Sequence, residues 1–191
     1  MQPLAKLIHL LPFVFFIATT LLSGCGKASH NLVKPTVPST LSTLSEPDPH
    51  EVIIVINNNS VGGTHAGIFA GTRLNDPSGS YIGVRSADRN WPGPSLSDYV
   101  AYQKEDGEHI QLYRFRLSPE DFSMIDARMA AASPTPPLFC AAEVKQLIAG
   151  IGPFTALHKD GWISPAGLSE ILNNLTHQSI GICQQPDASA C

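Results

Sequence analysis

The side chains best suited to chemistry in this sequence are one cysteine, one histidine and one aspartate. Cys140 follows Pro136-Pro137-Leu138-Phe139 and opens a stretch with Val144, Leu147, Ile148 and Ile151 on one helical face. On the first turn of a helix, unpaired backbone N–H groups create a positive potential that favours a thiolate over a thiol. A thiolate is the nucleophile in acyl transfer. Four residues before Val144, the sulfur faces the inner side of its helix, so a small buried core residue is an equal reading, free cysteine being among the most buried types.

A thiolate nucleophile needs a base, and the base needs an orienting group. His30 and His50 lie in a Ser/Thr/Pro-rich stretch, His158 and His177 have polar neighbours, and His109 starts a strand beside Gly107-Glu108. His65 differs, because it follows Gly62-Gly63-Thr64 directly and begins the apolar run Ala66-Gly67-Ile68-Phe69. At the edge of such a strand it can face a cleft as general base; a strand-terminal histidine bonded to nearby backbone is the alternative. A two-residue turn at Gly71-Thr72 pairs Ala70 with Arg73, sets Ser78 opposite His65 and makes Asp76 the diagonal neighbour on the same face. Asp76 would then hold the imidazole tautomer, although Asp76-Pro77-Ser78-Gly79 is equally good turn chemistry. Neither Cys pairs nor His pairs occur at metal-ligand spacing, and no cofactor is expected.

The elements that must position these residues follow from period and punctuation. Val52-Ile53-Ile54-Val55-Ile56 is a β-branched run suited to a strand buried on both faces. Residues 65–70 form a second strand, 74–79 begin a return segment, and Ser80-Tyr81-Ile82-Gly83-Val84-Arg85 is a further strand candidate. Residues 87–94 form a loop whose Trp91-Pro92-Gly93-Pro94 could wall a groove or simply pack. Ser95 caps a short helix through residue 102, and 109–117 is a strand whose alternation changes phase near Leu112-Tyr113, as at a bulge. Ser118-Pro119-Glu120-Asp121 opens a helix with Phe122, Ile125 and Met129 on one face; Ser133 to Pro137 interrupts it. Helices over 140–150 and from Ser164-Pro165, with Leu168, Ile171, Leu172 and Leu175 inward, complete an α+β domain of four to five antiparallel strands packed with helices, without internal repeats.

The N-terminus gives an address. Lys6 precedes an apolar run to Leu22, which reads as an export signal over residues 1–24. Leu22-Ser23-Gly24-Cys25 resembles the bacterial lipobox, implying acylation of Cys25 and anchorage without spanning. Gly26 in place of Asp points to an outer-membrane lipoprotein facing the periplasm. Residues 25–50, rich in Ser, Thr and Pro, form a tether, and 51–191 form the folded domain. Cys183 and Cys191 can close a small disulfide loop in an oxidising compartment, leaving Cys140 over. Of the 191 residues 43% are hydrophobic and 15% charged, as in a globular protein, and the 12 basic and 16 acidic side chains give a net charge of −4, which argues against a nucleic-acid partner. A monomer is expected.

The order His65-Ala-Gly-Ile-Phe on a strand, a polar residue on the next segment and Phe139-Cys140-Ala-Ala-Glu-Val at a helix start resembles the circularly permuted NlpC/P60 papain-like group. Ile163-Ser-Pro-Ala-Gly-Leu resembles a helix start common after its cysteine helix, so the likeness spans about residues 52–175. It departs in having Ala141-Ala142 where many relatives have Ser, and in its third residue. The resemblance implies a permuted papain-like architecture and a thiol hydrolase, with Cys140 as nucleophile, His65 as base and Asp76 as orienting residue. Given the envelope address, the expected reaction is cleavage of amide bonds in peptidoglycan peptides through a Cys140 acyl-enzyme. The alternatives are a thioesterase or lipid acyltransferase, and a non-catalytic envelope lipoprotein that binds a wall component or a protein. The last expects Cys140 to be inert, or bridged to Cys183 or Cys191.

Overall fold

The computed structural model describes residues 44–77 and 79–183, with side chains through residue 176. The export signal, Cys25, most of the tether, Ser78, and the Cys183–Cys191 loop lie outside what is described. Four strands, β1 (Glu51–Asn57), β2 (His65–Ala70), β3 (Arg73–Asn75) and β4 (Ile110–Arg116), form one antiparallel sheet in the order β3-β2-β1-β4. Helices α1 (Tyr81–Arg85), α2 (Leu96–Gln103), α3 (Pro119–Ala131), α4 (Cys140–Ile148) and α5 (Pro165–Cys183) complete an α+β fold. No helix among the described residues is long and apolar enough to cross a membrane.

β1 lies between β2 and β4, and all seven of its residues are buried. Its β-branched run suits this position because both faces are covered, so no polar alternation is needed. On one face Val52, Ile54 and Ile56 join Ala66, Ile68, Ala70, Tyr113 and Phe115 beneath α3, α4 and α5. On the other, Ile53, Val55 and Phe69 pack with Tyr81, Leu96, Tyr99 and Tyr102 of α1 and α2. The sheet therefore separates two cores. Side chains alternate between them along every strand.

Three expectations need correction. Residues 80–85 form helix α1 rather than a strand, because Tyr81 and Arg85, four apart, both turn inward. The buried Arg85 pairs with Asp98 at 2.8 Å, and its guanidinium lies 5.8 and 5.5 Å from the Tyr81 and Tyr102 ring centres. The ion pair answers the charge that the strand reading would have left exposed. β4 has no bulge: its register with β1 is continuous from Glu51↔Arg116 to Asn57↔Ile110. Ile110 and Leu112 serve the α1/α2 core while Tyr113 and Phe115 serve the other, so the changed alternation reflects burial on both faces.

The tether also ends earlier than residue 50. Glu46 accepts the N–H groups of Leu96 and Ser97 at 2.7 and 3.2 Å, neutralising the N-terminus of α2, and Leu44 packs against the α1/α2 core. Asp48 pairs with Arg116.

Candidate functional site

The hairpin geometry brings His65 and Asp76 together. Ala70↔Arg73, Phe69↔Leu74 and Ile68↔Asn75 are paired across the two-residue turn, and Asp76 follows on the His65 side. The His65 Nε2–Asp76 Oδ1 separation is 2.6 Å. The same oxygen accepts from the Tyr99 hydroxyl at 2.7 Å. Tyr99 reaches it because Gly67 has no side chain: a Cβ there would stand 2.2 Å from the hydroxyl oxygen. Burial first, then the Asp76 charge and hydrogen bond, raise the Tyr99 phenol well above its ordinary value, so it stays a donor. Sequence reasoning missed Tyr99, although a glycine within a buried strand signals such close approach.

This cluster is largely buried. His65 is 6% exposed and Asp76 Oδ2 is buried without a hydrogen-bond partner among the described residues. The cavity beside His65, lined by Thr64, Ser80 and Tyr102, measures about 10 Å³. That admits about one water molecule and no acyl substrate.

Cys140 does not join it. His65, Gly67 and Phe69 project toward α2, whereas α4 packs over Ala66, Ile68 and Ala70 on the opposite face of the sheet. Cys140 heads α4, is 0% exposed and is disulfide-bonded. A sulfur in a disulfide is not a thiolate nucleophile, so in this state Cys140 does not supply the nucleophile for which His65 is the expected base. His65 and Asp76 meet each other, as a buried hydrogen-bonded pair braced by a tyrosine.

Larger open recesses lie beside α4. Open recesses of about 430, 440 and 360 Å³ share Glu143 of α4 in their walls. The segment 132–136 bounds them, and the 360 Å³ recess reaches Asn75 and Asp76 at the sheet edge. Asn75 Nδ2 donates to Glu143 Oε1 at 3.3 Å, while partial burial pushes the Glu143 carboxyl up against the lowering effect of that bond. Trp162, 61% exposed, stands beside Phe139, 45% exposed. The indole N–H donates to the Leu138 carbonyl at 2.8 Å, which tethers the largely exposed ring. The loop carrying it is held from below by Lys145, whose ammonium donates to the carbonyls of Asp160 and Gly161 at 2.6 and 2.8 Å. Neither Glu143 nor Trp162 carried a sequence signal beyond its type, because the two meet only through tertiary packing. The Trp91 loop instead packs: Trp91 meets the Tyr81 ring edge-on at 5.8 Å.

No three His, Cys, Asp or Glu residues among those described come together to hold a metal ion. No family model, curated protein or solved structure matches the chain.

Proposed function

We propose that this chain is a non-catalytic, lipid-anchored protein of the cell envelope that binds a wall component, retaining a permuted papain-like layout of histidine strand and cysteine helix without thiol chemistry. The observation that carries this reading is Cys140, which is buried and disulfide-bonded. The same facts count against peptidoglycan peptide hydrolysis, thioesterase action and lipid acyl transfer, since all three need a free thiolate with a base in reach.

Disulfide bonding at Cys140 gives its cysteine a structural role. The sequence holds four cysteines, so the partner is Cys25, Cys183 or Cys191. Lipidation of Cys25 would occupy that sulfur and leave Cys183 or Cys191, in which case the small tail loop between those two does not form. Such a bridge would tie the C-terminal segment to the first turn of α4 and restrict the unfolded chain.

The test uses the full chain in detergent. Alkylation of the folded protein without reductant is expected to leave Cys140 unmodified, with labelling after denaturation and reduction, as read by mass. Incubation with sacculi is expected to give co-sedimentation of wild type and Cys140→Ala alike, and no release of peptide fragments by either. Fragment release by wild type that is lost in Cys140→Ala would restore the hydrolase and refute the binding reading.

A further inference from the structure

We propose that the recess around Glu143 is a groove for a polysaccharide strand, in which Trp162 and Phe139 stack on pyranose rings and Glu143, Gln146, Lys159 and Asp160 bond their hydroxyl and acetamido groups. This rests on the wall-binding reading and names the ligand class. Four features of the groove point to sugar.

The first is the pinned indole. Trp162 spends its only side-chain donor on the Leu138 carbonyl and is 61% exposed, so it offers a ligand aromatic ring surface, a partner for the C–H groups on one side of a pyranose ring. The second is the polar set. The groove mixes carboxylate, amide and ammonium groups, with Glu143 and Asp160 against Lys159, which suits a polyhydroxyl ligand better than one of strong single charge. The third is shape. The recesses are open and share residues with one another, as an extended chain of rings requires, whereas a small molecule is normally enclosed.

The fourth is preorganisation. Leu138 adopts φ 74°, a left-handed conformation costly for leucine, and this turns its carbonyl to the indole. Lys145, buried on α4, fixes the loop that carries Trp162 through two carbonyls. Walls ordered in advance lower the entropy cost of binding.

The experiment titrates the full chain in detergent with three probes: peptide-free glycan strands stripped from sacculi by amidase, isolated stem peptides, and whole sacculi. Tryptophan emission and co-sedimentation are the readouts. Glycan strands are expected to quench the emission saturably. Trp162→Ala should weaken their binding about tenfold or more, as removal of a central aromatic anchor does. Gln146→Ala, at an exposed helix position that leaves the fold intact, should weaken it about threefold, as loss of one neutral hydrogen bond does. Circular dichroism checks that each variant is folded. Binding of sacculi and stem peptides without binding of glycan overturns the glycan assignment and leaves wall binding standing. Glycan binding unchanged in both variants overturns the site. Absence of binding to sacculi overturns the proposed function together with this inference.

Discussion

Substituting Gly67 by alanine tests whether the His65–Asp76–Tyr99 cluster is a structural brace. The added Cβ would lie 2.2 Å from the Tyr99 hydroxyl oxygen and 2.9 Å from its ring carbon. Tyr99 cannot yield freely: it is fully buried, edge-on to Phe69 at 5.6 Å and to Tyr81 at 5.1 Å. Overpacking of this kind costs about 1–3 kcal/mol. Displacing the hydroxyl also loses its bond to the Asp76 carboxylate, about 1.5–3 kcal/mol for a charged acceptor. Against these, replacing a strand glycine by alanine returns about 0.5–1 kcal/mol. The net loss is about 2–5 kcal/mol, a large part of a domain's usual stability. Tyr99→Phe alone loses the hydrogen bond but not the packing, so it should cost about 1.5–3 kcal/mol. In the double variant the bond is lost only once and the closest contact is gone, so the combined cost should fall short of the sum by at least about 1.5 kcal/mol. Urea unfolding of the four proteins, followed by circular dichroism, measures this. A Gly67→Ala loss under about 1 kcal/mol, or additive single effects, would refute the reasoning.

Further expectations concern groups away from that strand. Asp98→Ala leaves the Arg85 guanidinium buried without its carboxylate and should cost about 3–5 kcal/mol in urea unfolding, while Arg85→Met, which removes the charge itself, should cost less. Glu143 has a folded pKa raised above its ordinary 4.5, so the folded state holds the proton more tightly and stability falls as pH rises through the window above 4.5. Glu143→Gln should abolish that fall, which a comparison of urea midpoints across the window would detect. The Tyr99 phenol is raised well above 10.0, so the stability it carries is present below pH 10 and lost as the pH climbs toward its folded value. Absorbance titration of tyrosinate should therefore show the same rise near pH 10 in folded wild type and Tyr99→Phe; a smaller rise in the variant would contradict the raised value.

What the sequence made legible was local. The turn at Gly71-Thr72 sets the register of β2 on β3 by counting, and the count carries Asp76 to His65 without knowledge of any other element. Ser118 followed by Pro119 marks a helix start through its own chemistry, since the serine hydroxyl accepts the Asp121 N–H. The strand expected over residues 80–85 is a helix because the inward stripe belongs to Tyr81 and Arg85 and depends on Asp98 arriving from α2. Glu143, Trp162 and Tyr99 acquire meaning only from neighbours distant in the chain. No local pattern encodes such meetings.

The parity of β2 decides whether thiol chemistry is available. His65 shares its face with Gly67 and Phe69, and that face looks toward Tyr99; Ala66, Ile68 and Ala70 look toward the helix that carries Cys140. The strand cannot slip by one residue to exchange these sets, because its pairing with β1 is fixed over six positions and a shift would drive Ala66 and Ile68 into the tyrosine core and His65 into hydrocarbon. Reducing the disulfide at Cys140 would free a sulfur, but the imidazole would still be turned toward Tyr99 and held by Asp76. A carboxylate held 2.6 Å from an imidazole is common to catalytic dyads and to structural ion pairs. Access separates the two cases: among the described residues the space beside His65 holds about one water molecule, while the larger recesses lie along Glu143, one of them reaching Asp76.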